Sequence, residues 1–338
     1  MKILLRLSLL ITILVLGACS SESNSSATVS GESSPSTSTS LTWVSGAQGG
    51  GWYTMAGGIG ALIKEKEGIN VSTIPGGSLQ NMPFVSTNEA QLAWMQPPFI
   101  QAGIEGTEPF EQKFEDISII GNGFGTNHFH LLVEASSPYE TADELFKDAS
   151  KISIAVTPVN NSDEWVFKKV LDFYDLSYES IKNAGGKVIH GSYQEQADAI
   201  RNGNIKAIFS QLSIPSSTIT EAAVSKDVKL LPFSDELVEH LKQFGLDSNV
   251  IPAGTYPDVT NNSNDIKTFS MGNVLTVNST LDEETVYKIT KVINENVEQL
   301  VNIHASLVDY DPEKAPLNLT ADLHPGAEKY YKEAGYIK

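Results

Sequence analysis

Val44-Ser-Gly-Ala-Gln-Gly-Gly-Gly-Trp-Tyr-Thr-Met-Ala-Gly-Gly-Ile59 joins a short apolar run at 41–44 to a periodic segment at 52–67. The run reads as a strand. The segment reads as a helix, because Met55, Ile59, Leu62 and Ile63 recur on one helical face. A strand, a glycine loop and a helix in that order leave backbone N–H groups unpaired at the helix start. Those donors and the helix dipole favour an anionic or strongly accepting ligand group. Gly49, Gly50 and Gly51 permit positive φ and close approach by a ligand. The same glycines also suit a flexible strand-to-helix connection, so a small-molecule cradle and a plain linker both fit. No Gly-Lys-Ser/Thr follows and the spacing is not G-x-G-x-x-G, which argues against a nucleotide phosphate loop.

Upstream, residues 1–18 carry positive charge at Lys2 and Arg6, and 3–16 is mostly apolar. The pattern is a secretory signal, too short and wrongly flanked to span a membrane. Its end, Leu16-Gly-Ala-Cys19, resembles the lipobox of bacterial lipoproteins, in which the cysteine becomes a lipid-bearing N-terminus. Cys19 is the sole cysteine, so an intramolecular disulfide or cysteine metal cluster is excluded. Residues 19–40 are dominated by Ser and Thr and cannot bury a core; they read as a disordered tether. Two of the 23 basic residues fall in the signal, leaving 21 against 41 acidic ones. That balance argues against binding to nucleic acid or adhesion to anionic lipid.

Beyond the tether, short strand and helix patterns alternate through residue 244, which implies an α/β protein built on parallel sheets. The stretch 266–278 is long and β-rich, 282–304 reads as one amphipathic helix, and 327–334 as a last helix. A late return strand after two α/β halves suggests a bilobed binding protein whose chain crosses twice between lobes, near 128–134 and 266–277. The expected boundaries are 41–130 plus 270–338 for lobe 1 and 131–269 for lobe 2. Ligands in such folds sit between the lobes at the carboxyl ends of strands.

Four loops fall at those ends. They contain Gln48, Gly50, Gly51, Trp52 and Tyr53; Gly77 and Ser78; Gln96; and Asn160, Asn161 and Ser162. Gln211, near another strand end, is a further candidate. Asp163 and Glu164 in the first turn of the second lobe's helix argue against a bare anion there and suit the helix dipole. Trp52, Trp94 and Trp165 fit either an aromatic-lined site or core packing. Past the signal, Arg201 is the single arginine, so a guanidinium fork is not the recognition device. His128 and His130 share a strand face with no third histidine or cysteine nearby, and read as structural rather than as zinc ligands. No Gly-x-Ser-x-Gly elbow is present. Nothing marks an enzyme, a metal or a cofactor.

Several motifs together resemble the TAXI family, the solute-binding proteins of TRAP transporters. They are Gly49-Gly-Gly-Trp-Tyr53, Pro75-Gly-Gly-Ser-Leu-Gln-Asn81, Ala90-Gln-Leu-Ala-Trp-Met-Gln96 and Gly191-Ser-Tyr-Gln-Glu-Gln-Ala-Asp-Ala-Ile-Arg-Asn-Gly203. Ile251-Pro-Ala-Gly-Thr-Tyr-Pro257 and Leu323-His-Pro-Gly-Ala-Glu-Lys-Tyr-Tyr331 follow in the same order. The resemblance spans residues 41–338. It implies a type II periplasmic-binding-protein fold that captures a small solute, glutamate-like or another carboxylate, for an ion-driven permease. This chain departs from the family on presumed ligand loops. Ala47-Gln48 stands for Ser-Thr, Gly51 for a frequent Thr, and Asn160-Asn-Ser-Asp163 for Gly-Ser-Gly-Thr.

The expectation is a monomeric, extracytoplasmic receptor, lipid-anchored to the bacterial membrane through Cys19 and partnered by a TRAP permease. A sensory lipoprotein reporting to a membrane kinase is the second reading, and an unrecognised hydrolase the third.

Overall fold

A computed structural model describes residues 40–338; the signal segment, Cys19 and all but the last residue of the tether lie outside the described residues. The first half of the chain gives β1 (Ser40–Val44), α1 (Gly51–Glu67), β2 (Asn70–Ile74), α2 (Ser78–Ser86), β3 (Leu92–Met95), α3 (Pro97–Glu105), β4 (Ile117–Gly121) and β5 (Thr126–Glu134). Then come α4 (Ala142–Phe146), β6 (Ser153–Val156), α5 (Ser162–Phe173), α6 (Tyr178–Asn183), β7 (Lys187–His190), α7 (Tyr193–Arg201), β8 (Ala207–Ser213), α8 (Ser217–Ser225) and β9 (Val228–Leu230). The chain closes with α9 (Asp235–Leu241), β10 (Asp247–Ile251), β11 (Ile266–Gly272), β12 (Val274–Asn278), α10 (Glu283–Glu295), α11 (Val297–Ile303) and α12 (Pro325–Glu333). No helix among the described residues is long and apolar enough to cross a membrane.

Two sheets result. The first runs β2-β1-β3-β12-β4, and the second β10-β11-β5-β8-β6-β7 with β9 also paired to β5. Both are mixed, which corrects the expectation of parallel sheets. In the first, β1 pairs parallel with β2 and β3, but the returning β12 lies antiparallel between β3 and β4. In the second, β5 and β11 enter antiparallel, and only β8, β6 and β7 form a parallel set. β5 and β12 arrive directly from the other sheet and β11 returns beside β10, all without a crossover helix, so none is held to the parallel direction.

The chain passes between the sheets at 122–125 and returns at Asn273. β5 and β11 therefore lie whole in the second sheet, and β4 and β12 in the first. The two passages are stitched together: Asn273 N–H donates to Gly125 O at 3.1 Å and its amide to Phe124 O at 2.9 Å. The stretch read as one β-rich run at 266–278 is thus two strands in different sheets.

Each sheet has its own apolar core. Met55, Ile59, Leu62 and Ile63 of α1 pack with Trp43, Trp94, Leu275 and Ile289 on the first. Phe129, Phe167, Phe209 and Phe269 centre the second. Helix α1 stops at Gly68, whose φ of 71° and N–H bond to Lys64 O form a left-handed cap. The helix expected over 282–304 is broken at Asn296, whose side-chain amide donates to Val292 O at 2.7 Å and competes with the helical ladder. Helix α3 begins with Pro97 and Pro98, which read from sequence as the end of the Gln96 loop, although Pro suits the first helical turn.

Two motifs of the resemblance turn out to hold structure. Tyr256 Oη accepts Ser216 N–H at 3.1 Å and lies 2.9 Å from His130 Nε2, while His130 Nδ1 donates to His128 O at 2.9 Å. Burial pushes His130 down to about 3, so the ring stays neutral and structural. His324 accepts Gly326 N–H at 3.2 Å as the cap of α12, and its other nitrogen meets Leu281 O at 3.0 Å.

The densest polar joint of the first sheet is Asn81, fully buried on α2. Its Nδ2 donates to Ser45 O and to Trp94 O, both at 2.7 Å, and its Oδ1 accepts Gly77 N–H at 2.9 Å. Asn81→Ala leaves three buried backbone groups unpaired. It should cost about 3 kcal/mol or more in urea unfolding, whereas Gln91→Ala, whose bonds are nearer the surface, should cost about 1 kcal/mol.

Candidate functional site

The ends of β1, β2, β6 and β8 meet around a cavity of about 40 Å³. From the first sheet it is lined by Gly46, Ala47, Gly50, Gly51 and Trp52, with Gly76, Gly77 and Ser78. From the second come Asn161, Ser162 and Asp163, with Tyr193, Asn127, Gln211, Leu212 and Ser213. Three helices of nine residues or more begin here. Gly50, Gly77 and Asn161 are the cap residues of α1, α2 and α5, and none offers a side chain to its helix. Their first-turn N–H groups thus lack the usual side-chain acceptor.

Seven of the expected ligand residues come together: Gly50, Gly51, Trp52, Gly77, Ser78, Asn161, Ser162, with Gln211 as an eighth. Four do not. Gln48 is exposed on the loop and Tyr53 is half-buried on α1, a turn face away from the cavity lining. Gln96 is fully buried at the start of α3 and outside the lining, with both amide atoms unpaired. Asn160 adopts φ 69° and lines a separate hollow beside α5. Of the tryptophans, Trp52 lines the cavity. Trp94 lies in the core, donating to Trp52 O at 3.1 Å, and Trp165 packs edge-on to Phe99 at 5.3 Å beside the other hollow.

The glycines serve the approach of one sheet's loops to the other's. A Cβ on Gly51 would stand 2.6 Å from Ser213 Oγ, and one on Gly77 would stand 3.0 Å from Asn161 Nδ2. Of the triple glycine only Gly49 has positive φ, at 84°, so steric room and not backbone freedom explains Gly51. Sequence reading assigned these residues to a ligand; what they touch here is the opposite wall.

The polar inventory is asymmetric. Ser78 Oγ and Gln211 Nε2 are buried without a hydrogen-bond partner. No Lys, Arg or His lines the cavity, and Asp163 is its single carboxylate. Asp163 Oδ2 accepts Gln211 N–H at 2.8 Å and the Tyr193 hydroxyl at 3.1 Å; Oδ1 lies 3.4 Å from Ser162 Oγ. Burial raises this acid to about 6, against the lowering pull of those hydrogen bonds. Asp163, Tyr193 and Ser213 were not among the expected site residues. Asp163 had been read as a helix-dipole partner that argues against a bare anion there, and β8 runs on through Ser210-Gln-Leu-Ser213, where polar residues mask a strand.

The fold resembles the structure of periplasmic binding protein BugD, with a TM-score of 0.53 at 15% identity, covering 88% of this chain and 98% of that one. It also resembles a binding protein component of an ABC phosphonate transporter from Pseudomonas aeruginosa, with a TM-score of 0.50 at 10% identity over 80% and 79% of the chains. The class is therefore the bilobed α/β fold of periplasmic binding proteins. Within it, the chain belongs to the NMT1-like family, whose sequence model matches residues 44–335.

Asp163 holds its proton more tightly folded than unfolded, so its contribution to stability is present below its unfolded value of 3.8 and is lost as pH rises through about 6. Asp163→Asn, which keeps an acceptor for Gln211 N–H and Tyr193, should remove that loss. The variant should gain about 3 kcal/mol over the parent between pH 4 and pH 7. Urea unfolding of both proteins across that range measures it, and parallel curves would contradict it.

Proposed function

We propose that this chain is an extracytoplasmic solute-binding protein of the TAXI type, which closes two lobes over a small solute and hands it to a TRAP permease. The solute carries a carboxylate, glutamate-like or another small acid, and undergoes no chemical step. Cys19 carries the lipid that anchors a monomer to the bacterial membrane, and residues 20–40 tether it.

One observation carries the reading. Buried, unpartnered Ser78 Oγ and Gln211 Nε2 line one cavity from opposite sheets, beside helix starts that have no side-chain cap. Unsatisfied buried donors are costly, and a ligand's acceptors would satisfy them. Gly50, Gly51, Trp52, Gly77 and Ser78 act from the first lobe, and Asn161, Ser162 and Gln211 from the second. The stitched passages at 122–125 and Asn273 are the hinge about which the lobes part. The names of the similar structures, both binding proteins and one a transporter component, point the same way.

A thermal-shift screen against small acids, amino acids and sugars tests this. At a hundredfold excess over its Kd the true solute should stabilise the protein by about 2.7 kcal/mol. Gly51→Ala, whose Cβ would press on Ser213, should weaken binding at least tenfold by holding the walls apart. Ser78→Ala should weaken it by about tenfold, as loss of one buried hydrogen bond implies. Absence of any stabilising solute, or shifts indifferent to both substitutions, would refute the proposal.

A further inference from the structure

The strands beside the two passages separate two hollows. Asn127 and Ser213, paired across β5 and β8, line the small cavity; the residues next to them, His128 and Ile214, line a groove of about 530 Å³. Successive residues of an extended chain point to opposite sides, so the cavity lies in front of the strands and the groove behind them. Like the cavity, the groove has one wall from each half of the molecule. Asn249, Val250 and Pro252, at the end of β10, stand on the second sheet's side. Ala305, Ser306 and Val308 stand opposite, in a segment tied to the first core by Leu307 and Tyr310. Gly125 and Gly272, from the two passages, form the floor. Phe124 stacks on Tyr310 at 4.7 Å, and its carbonyl accepts the Asn273 amide at 2.9 Å. The passages are thus bound to the first core as far as those residues, and a bend falls on the next ones, Gly125 with φ 74° and Gly272. A rotation about that line that parts Gly51 from Ser213 in front brings Val308 toward Val250 behind.

From this we infer that the groove is the stop of the hinge: the free space behind the strands is what lets the cavity open, and a side chain that fills it holds the cavity shut. The inference rests on the two-lobe motion proposed above and adds the element that limits it. Groove and cavity share one coordinate with opposite sign, so a solute in front and a filler behind favour the same form. Each then raises the affinity for the other. Two positions can fill the groove at little cost. A Cβ on Gly272 would meet nothing within 4 Å, and its φ lies outside the left-handed region, so a side chain fits there. Val308, on the facing wall, is 61% exposed and can grow without displacing core atoms.

Hydrogen–deuterium exchange of the full chain, read by mass spectrometry, tests this without a solute. In the parent, amides in the opening turns of α1, α2 and α5 should exchange faster than those of β3 and β12, because they are uncovered whenever the walls part. Gly272→Leu and Val308→Trp enter the groove from its floor and from one wall. Each should slow exchange at the three helix starts by about fivefold or more, as a smaller open population requires. Val224→Trp, at a similarly exposed valine on α8 outside the groove lining, should leave it unchanged. Thermal unfolding checks that each variant is folded. Unchanged or faster exchange in either folded groove variant, or equal slowing by Val224→Trp, would overturn the inference and leave the two-lobe motion standing. Helix-start amides that exchange no faster in the parent than those of β3 and β12 would overturn both.

Discussion

The carboxamide of Asn81 is the joint on which the first sheet's edge of the cavity depends. It takes the N–H of Gly77 and gives its own two protons to Ser45 O and Trp94 O. Three segments that sequence separates, the ends of β1 and β3 and the start of α2, are thereby fixed to one another inside a dry core. A buried amide with every partner satisfied specifies position as well as adding stability. The start of α2 can then point its N–H groups into the cavity without a side-chain cap, because Gly77 is held from behind.

Asp163 does the corresponding work on the second lobe, at a cost Asn81 does not carry. One of its oxygens joins α5 to β8 through Gln211 N–H and to α7 through Tyr193. A neutral amide could make the same two bonds. The chain instead places a full charge there, in a cavity without a cation, and that choice is not explained by packing.

Between the two walls, small residues set how near the lobes come. Gly51 against Ser213 and Gly77 against Asn161 leave no room for a Cβ without movement. The two walls therefore meet in a packed contact, with the cavity left where the helix starts fail to meet. Trp165 extends the contact on one side, its ring against Phe99 and its Nε1 3.3 Å from Glu108.

Local chemistry was enough to reveal α1, the loops that open α2 and α5, and the alternation of strands and helices, because apolar period and glycine placement are written in neighbouring residues. The residues at helix starts were identified for the same reason. Strand direction, by contrast, depends on where the chain has just come from, so the antiparallel β5, β11 and β12 were hidden. Gln96 and Asn160 carry the right chemistry at strand ends, yet burial and a left-handed turn take them out of the cavity lining. Asp163 and Gln211, 48 positions apart, and Gly51 and Ser213, from different sheets, become neighbours only when both lobes are assembled. Burial is what turned an ordinary helix-start aspartate into an unpaired charge, and burial is a property of the folded whole.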